Sequence, residues 1–303
     1  MASPTLALLA PGAMGAALAA RLSAAGASPV LTNLDGRSEA TIARARAANM
    51  QHATYAEIAA RATCVYSVVP PDEAFAVAEA IVGAYKTIGS RRALVFVDCN
   101  AVNPDSAKRI ATLFEGTGIT FLDGAIIGLP PTDTFYPGIY VSADPKDVTV
   151  LDEFTVMSTK YGMNIIPLKG EGAGIGDASA LKMAHAGIVK GMLGLCATMI
   201  LAANAASPST ADGLIHALDI SSHTFVDLII RFVPQMLPKT YRFVGEMNEI
   251  AGFVGEDVGA GASTFQGLAE TFARIAGAHG QSPQGEEIAQ LLKFVEEARK
   301  TRR

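Results

Sequence analysis

The sequence predicts a doubly wound, mostly parallel α/β domain over residues 1–168, followed by an all-α domain over residues 169–303. Three observations carry this reading. Short apolar runs alternate with helical stretches from Thr5 to about Ile166, a glycine-rich turn joins the first run to the first helix, and beyond Lys169 helical periodicity takes over. A length of 303 residues suits two domains better than one core.

The elements follow in order. "TLALLA" is a first strand, succeeded by a helix through Leu22, then the strand "SPVLTN" and a helix from Ser38 to Ala48. "TCVYSVV", "ALVFVDC", "ITFLDGAII" and "GIYVSA" are further strands, with helices near Asp72 to Val82 and Asn103 to Phe114, and "MNIIPLKG" closes the domain. Strand then helix, repeated, implies right-handed crossovers and a parallel sheet. In the second half a helix of some 30 residues starts near Gly174, its faces lined with small residues that permit close backbone approach. Breaks are expected at Ser207-Pro208, Pro234 to Pro238, Gly252 to Gly261 and Ser282-Pro283.

Composition narrows the function classes. Half the residues are hydrophobic and 17% are charged, with a net charge of −5. Basic runs are short, at Arg91-Arg92 and Arg299 to Arg303, so nucleic acid is not an expected partner. Cys64, Cys99 and Cys196 lack paired or metal-like spacing, which predicts reduced, buried thiols, no metal site and a cytoplasmic setting. The longest uncharged apolar stretch, Gly191 to Ala203, is short of the roughly 20 residues that a membrane span needs. No membrane association is expected.

"APGAMG", Ala10 to Gly15, follows the first strand and opens a helix, the placement that the dinucleotide fingerprint of a Rossmann domain requires. Gly12 lets backbone approach a pyrophosphate, and Gly15 lets the helix pack on the strand. Ala13 and Met14 complete the turn, whose helix-start N–H groups attract negative charge. Ala10 stands where the fingerprint has its first glycine, so the tightest part of the turn must accept a methyl group. At the end of the second strand, Asn33, Arg37 and Ser38 offer an amide, a guanidinium and a hydroxyl. That set suits a 2′-phosphate, so NADP is expected over NAD, with Asp35 as the competing ribose ligand. Val69, Pro70 and Pro71 end the next strand at the same sheet edge, where a nicotinamide ribose would lie.

"SALKMAHAGIVKG", Ser179 to Gly191, places Ser179, Lys182, His185 and Val189 on one face of an otherwise apolar helix, with Ala186 beside them. A helical lysine is ordinarily a snorkelling surface group, and Lys190 and Lys169 read that way. Arg242, Glu246 and Glu249 share a helical face in "YRFVGEMNE", which is either solvated or directed at a cleft.

Together "GAMG", "VVPP", "VDCNAVNP", "LDGAIIG" and "LKMAHAG" resemble the β-hydroxyacid dehydrogenase superfamily, which includes 3-hydroxyisobutyrate and 6-phosphogluconate dehydrogenases. The chain looks like a short variant with a divergent C-terminal domain. The resemblance implies that Lys182 is the catalytic lysine, that His185 orients substrate or the lysine, and that Asn100 contacts both nicotinamide and substrate. It also places Ile127, Gly128 and Leu129 where relatives hold a substrate carboxylate, with Ser179 and Ala186 lining the same site. Departures matter too. Ala186 replaces a substrate-binding asparagine, Ile127 the serine of a Ser-Gly-Gly turn, and Val189 the glutamate that serves decarboxylation in phosphogluconate dehydrogenases. The implied activity is NADP-dependent hydride transfer to or from a small 3-hydroxy acid or its carbonyl partner, by a homodimer joined through the helical domain. An imine reductase of the same architecture and a non-catalytic NADP-binding sensor are the alternatives.

Overall fold

The computed structural model describes residues 4–302 except 28, 89–92, 256–257, 259–260 and 282–284. The Arg91-Arg92 run, the Ser282-Pro283 break, Arg303 and part of the Gly252 to Gly261 break therefore lie outside the described residues.

The chain divides into two compact units, Met1–Lys182 and Met183–Arg303. The first is built on strands β1 (Leu6–Leu9), β2 (Val30–Thr32), β3 (Met50–His52), β4 (Cys64–Ser67), β5 (Leu94–Asp98), β6 (Ile119–Ile127), β7 (Gly138–Ala143) and β8 (Ile165–Pro167). They form one sheet in the order β3-β2-β1-β4-β5-β6-β7-β8, in which only β6 and β7 pair antiparallel. Helices α1 (Ala13–Ala24), α2 (Glu39–Ala47), α3 (Tyr55–Arg61), α4 (Ala74–Thr87), α5 (Pro104–Thr112) and α6 (Val148–Lys160) complete the unit. Alternation within β1 shows why both sheet faces are apolar. Leu6 and Leu8 enter one core cluster while Ala7 and Leu9 enter the other, as a strand covered on both sides requires.

Local signals explain several boundaries. The Ser38 hydroxyl accepts from the Thr41 N–H and starts α2, and the Asn103 side chain with Pro104 starts α5. Thr54 and Glu57 form a capping box at α3, an element that the apolar pattern does not reveal. Strand β3 is equally hidden, because this edge strand leaves Gln51 and His52 exposed.

The long helix, α7 (Asp177–Ala206), is 30 residues long and carries the division between the units. The sequence pattern changes from strand to helix near residue 168, whereas the compact units part at Lys182. The first turn of α7 is hydrogen-bonded to strands of the sheet and so belongs to the α/β unit. By length and composition alone α7 could cross a membrane, with a mean hydropathy of 1.8, but half of its apolar window is buried in the protein.

The second unit continues with α8 (Pro208–Ser221), α9 (His223–Met236), α10 (Thr240–Gly255), α11 (Gly261–Gln281) and α12 (Glu286–Thr301). Ser207 caps α8 and Pro208 occupies its first turn, so that break falls where expected. Pro234 does not interrupt α9. It sits two residues before the last residue of α9, in the final turn, and the break comes just after it in a 3₁₀ turn at Leu237–Lys239. Small residues on α7 let α11 approach closely. A Cβ at Gly194 would lie 2.9 Å from Leu268 and 3.0 Å from Phe272.

Candidate active site

The turn after β1 has the geometry of a nucleotide cradle. Ala10 adopts φ +65°, the left-handed conformation that a glycine would take more cheaply. Its carbonyl accepts from the Gly12 N–H at 2.8 Å, which closes the turn. A Cβ at Gly15 would fall 2.3 Å from the Ala10 oxygen, so α1 packs against β1 only because that side chain is absent. At Gly12 a Cβ would meet nothing within 4 Å. No side chain caps α1 and its first turn carries no acid, which leaves the positive helix end facing this open space. The cradle therefore fits a dinucleotide pyrophosphate.

Gly15 and Gly12 should thus fail differently. Gly15→Ala is expected to destabilise the fold by about 1–3 kcal/mol, because the clash is with backbone. Gly12→Ala should leave thermal stability at the wild-type level and weaken NADPH binding, as followed by fluorescence titration.

The ribose end is more committed than the sequence indicates. Asn33 is buried, and its amide nitrogen donates to Asp35 Oδ2 at 2.9 Å and to the Ala53 carbonyl at 3.3 Å. Ser38 is occupied as a helix cap, and Arg37 pairs with Glu73 at 3.0 Å. Arg44, which the sequence reading passed over, donates to the Pro11 carbonyl at 3.2 Å and so reaches the glycine turn from α2. Its signal was a guanidinium one turn beyond Thr41, indistinguishable in sequence from a solvated helix charge.

At the carboxyl edge of the sheet, register aligns a polar row across four strands. Ser67 of β4 sits opposite Asp98 of β5, Asp98 opposite Asp123 of β6, and Asp123 opposite Ser142 of β7. All four are buried. Asp123 accepts from the N–H groups of Gly176 and Ser179, both at 3.0 Å, from the Ser142 hydroxyl at 3.2 Å and from the Ser179 hydroxyl at 2.7 Å. It anchors the start of α7 as a carboxylate supplied from another element. Ser179, expected to line the substrate site, is instead fully buried and spent on this anchor.

One turn further along α7, the Lys182 amine donates to the Asn100 carbonyl at 3.3 Å. The side chain is partly exposed, while burial at its amine pushes the lysine below its ordinary pKa, against the opposing pull of Cys99, Asp98 and Asp123. Asn100 is buried, and its side chain is a clamp rather than a free contact. Its Oδ1 accepts from the Val69 N–H at 2.7 Å and its Nδ2 donates to the Ser67 hydroxyl at 3.1 Å. Pro70 and Pro71 follow Val69 on the exposed side of this loop.

Ile127, Gly128 and Leu129 lie at the far end of β6, where Gly128 takes φ +133° against Phe135 and Leu129 is exposed. His185 and Ala186 fall in the second unit, His185 exposed and Ala186 packed against that unit's core. There too Lys190 departs from the solvated charge expected of it. It pairs with Glu246 of α10 and lies 5.0 Å from the Phe243 ring. Glu246 is thereby accounted for within the helical unit. Cys64, Cys99 and Cys196 are buried free thiols, as the sequence predicts.

The NAD binding domain of 6-phosphogluconate dehydrogenase matches residues 5–151, and the domain of unknown function DUF1932 matches residues 205–275. The α/β unit is thus similar to the nucleotide-binding domain of 6-phosphogluconate dehydrogenase. That match supports a nicotinamide cofactor and an NAD(P)-dependent oxidoreductase. No curated protein sequence matches the chain. Among solved structures, a conserved hypothetical protein from Sinorhizobium meliloti is similar at 22% identity and TM-score 0.70, over 98% of this chain and 97% of that one. A 3-hydroxyisobutyrate dehydrogenase from Mycobacterium tuberculosis, solved with L-serine, is similar at 18% identity and TM-score 0.66, over 97% and 99%. An imine reductase from Myxococcus stipitatus, solved with NADP⁺, gives 18% identity and TM-score 0.53, over 96% and 100%. At these identities the likeness is one of fold.

Proposed function

We propose that this protein is a β-hydroxyacid dehydrogenase-like, NADP-dependent oxidoreductase that moves hydride between the cofactor and a small 3-hydroxy acid or its carbonyl partner, with Lys182 as general acid/base. The observation that carries this reading is the Lys182 amine, held by the Asn100 carbonyl at the sheet edge that also presents the glycine turn. A bound nicotinamide supplies or accepts the hydride. In oxidation Lys182 takes the hydroxyl proton as the free amine, a form that burial favours. In reduction its ammonium returns that proton to the carbonyl oxygen. Asn100 fixes the height of the amine above the sheet edge and ties the loops after β4 and β5 together.

The preference for NADP rests on Arg37, whose guanidinium would exchange Glu73 for a 2′-phosphate. Arg37→Ala should weaken NADPH about 10–100-fold and leave NADH unchanged, since a charge-assisted bond to phosphate is worth about 1.5–3 kcal/mol. Equal losses for the two cofactors would sink the 2′-phosphate argument. Apolar residues at Ile127 and Leu129 suit a small substrate, and they are also what favours the imine-reductase alternative. We further read the protein as a cytoplasmic homodimer, because Ile188, Leu195 and Met199 form an exposed apolar stripe on α7.

A panel of 3-hydroxy acids, their aldehydes and cyclic imines, followed at the NADPH absorbance, tests the reaction. Turnover of a hydroxy acid or aldehyde is the expected result. Turnover of imines alone would replace the reading, and NADPH binding without any oxidation would favour a sensor.

A further inference from the structure

Asp98 and Asp123 lie side by side in register, yet their surroundings differ sharply. Asp123 has four hydrogen-bond donors on its two oxygens. The Asp98 Oδ1 accepts from the Asn100 N–H at 3.0 Å, and its Oδ2, though buried, has no hydrogen-bond partner among the described residues. Asn100 joins this carboxyl to the lysine, since its N–H holds Asp98 while its carbonyl holds the Lys182 amine.

We infer that Asp98 is a positioning residue that acts through Lys182, its half-partnered carboxyl gaining or losing charge and thereby setting whether the lysine is held as an ammonium or released as a free amine. This inference rests on the reading of Lys182 as the proton-transferring group. Two neighbouring carboxylates cannot both ionise cheaply in a dry site, and hydrogen bonds decide which of them does. Burial raises Asp123 as well, but its four donors favour its charged form, so Asp98, with fewer donors, is the group freer to vary.

The titratable groups around Asp98 agree with that division. They are Cys99 beside it on the strand end, Asp123 from β6 and Lys182 from α7. Burial pushes Asp98 up to about 7, Asp123 adds to the rise, and the Asn100 N–H and Lys182 oppose it. Asp98 therefore changes charge near neutral pH. While it carries its proton, Lys182 loses an anion that stabilises the ammonium. Once it ionises, the ammonium is favoured again. The oxygen without a partner contributes to this, because a fixed donor on Oδ2 would favour the charged form of Asp98.

The test uses the full-length protein and no substrate. Acetic anhydride labels free amines, so the extent of labelling at Lys182 across pH, read by peptide mass spectrometry, gives the lysine midpoint. Asp98→Asn keeps the acceptor for the Asn100 N–H and removes the charge, and it should lower that midpoint by about one pH unit. The reciprocal arm is Lys182→Met with carboxyl-¹³C aspartate labelling, in which the Asp98 titration should move up by the same amount because coupling is mutual. An unmoved lysine midpoint in folded Asp98→Asn overturns the inference. Should that variant not fold, an unmoved Asp98 titration in Lys182→Met does so. The functional reading fails separately, by absence of turnover from a protein whose two titrations remain coupled. Conversely, a Lys182-dependent turnover with uncoupled titrations leaves that reading standing and removes this one.

Discussion

Lys182→Ala is expected to lower turnover about 10²–10⁴-fold while NADPH binds with wild-type affinity. The separation of effects follows from where the groups sit. The glycine turn, Arg37 and Arg44 surround the proposed nucleotide path, and none of them bonds to Lys182. The lysine instead touches the Asn100 carbonyl, and its loss removes a proton donor and acceptor without disturbing the turn. Single-turnover oxidation of NADPH, beside a fluorescence titration of the same variant, measures both quantities. The pH dependence has a fixed sign. Burial lowers the lysine pKa, so the wild-type oxidation rate should rise with pH through a midpoint below the ordinary lysine value. The reduction rate should fall through the same midpoint, and both limbs should vanish in the variant. Near-wild-type turnover by Lys182→Ala would assign the proton to another group.

Much of the α/β unit is legible in sequence because buried parallel strands read as apolar runs and their turns carry glycine. Ala10, Gly12 and Gly15 could be placed from spacing alone, and the steric role of Gly15 matches the one its position implies. What escaped has a common physical cause. Strand β3 is a polar edge, α3 begins on a capping box without a strong apolar stripe, Asp98 ends an apolar run in the manner of an ordinary loop residue, and Asp123 is a lone charge inside one. Only strand register brings the two carboxylates together, and register depends on the whole sheet.

Ser179 teaches the same lesson from the other side. Helical spacing correctly sets Ser179 and Lys182 on one face of α7. Spacing cannot say that this face meets the Asp123 carboxylate at one residue and the Asn100 carbonyl at the next. Lys190 and Glu246 were likewise visible as charges on helices, whereas their pairing depends on how α7 and α10 pack.

Asp123→Ala should be the most destabilising single substitution in the α/β unit, costing about 3–5 kcal/mol, because buried donors left without an acceptor cost about 1–3 kcal/mol each and part of that is recovered by relaxation. Four such donors depend on this one carboxylate: the N–H groups of Gly176 and Ser179 and the hydroxyls of Ser142 and Ser179. Two of the N–H groups that begin α7 are held through this corner, since the Ser142 hydroxyl also accepts from the Ala178 N–H at 3.2 Å. Urea unfolding should show the loss, and hydrogen exchange should localise it to the first turn of α7. An opposing effect exists, because removing one of two adjacent carboxylates relieves their repulsion and lets Asp98 ionise more readily. That relief is smaller than the loss of four hydrogen bonds, so the net sign is destabilising. Asp123→Asn keeps one acceptor but turns an amide NH₂ toward groups that are themselves donors, so it should recover only part of the loss. Full stability in Asp123→Asn would show that one acceptor suffices to seat α7, and the charge on Asp123 would then serve the lysine one turn away rather than the fold.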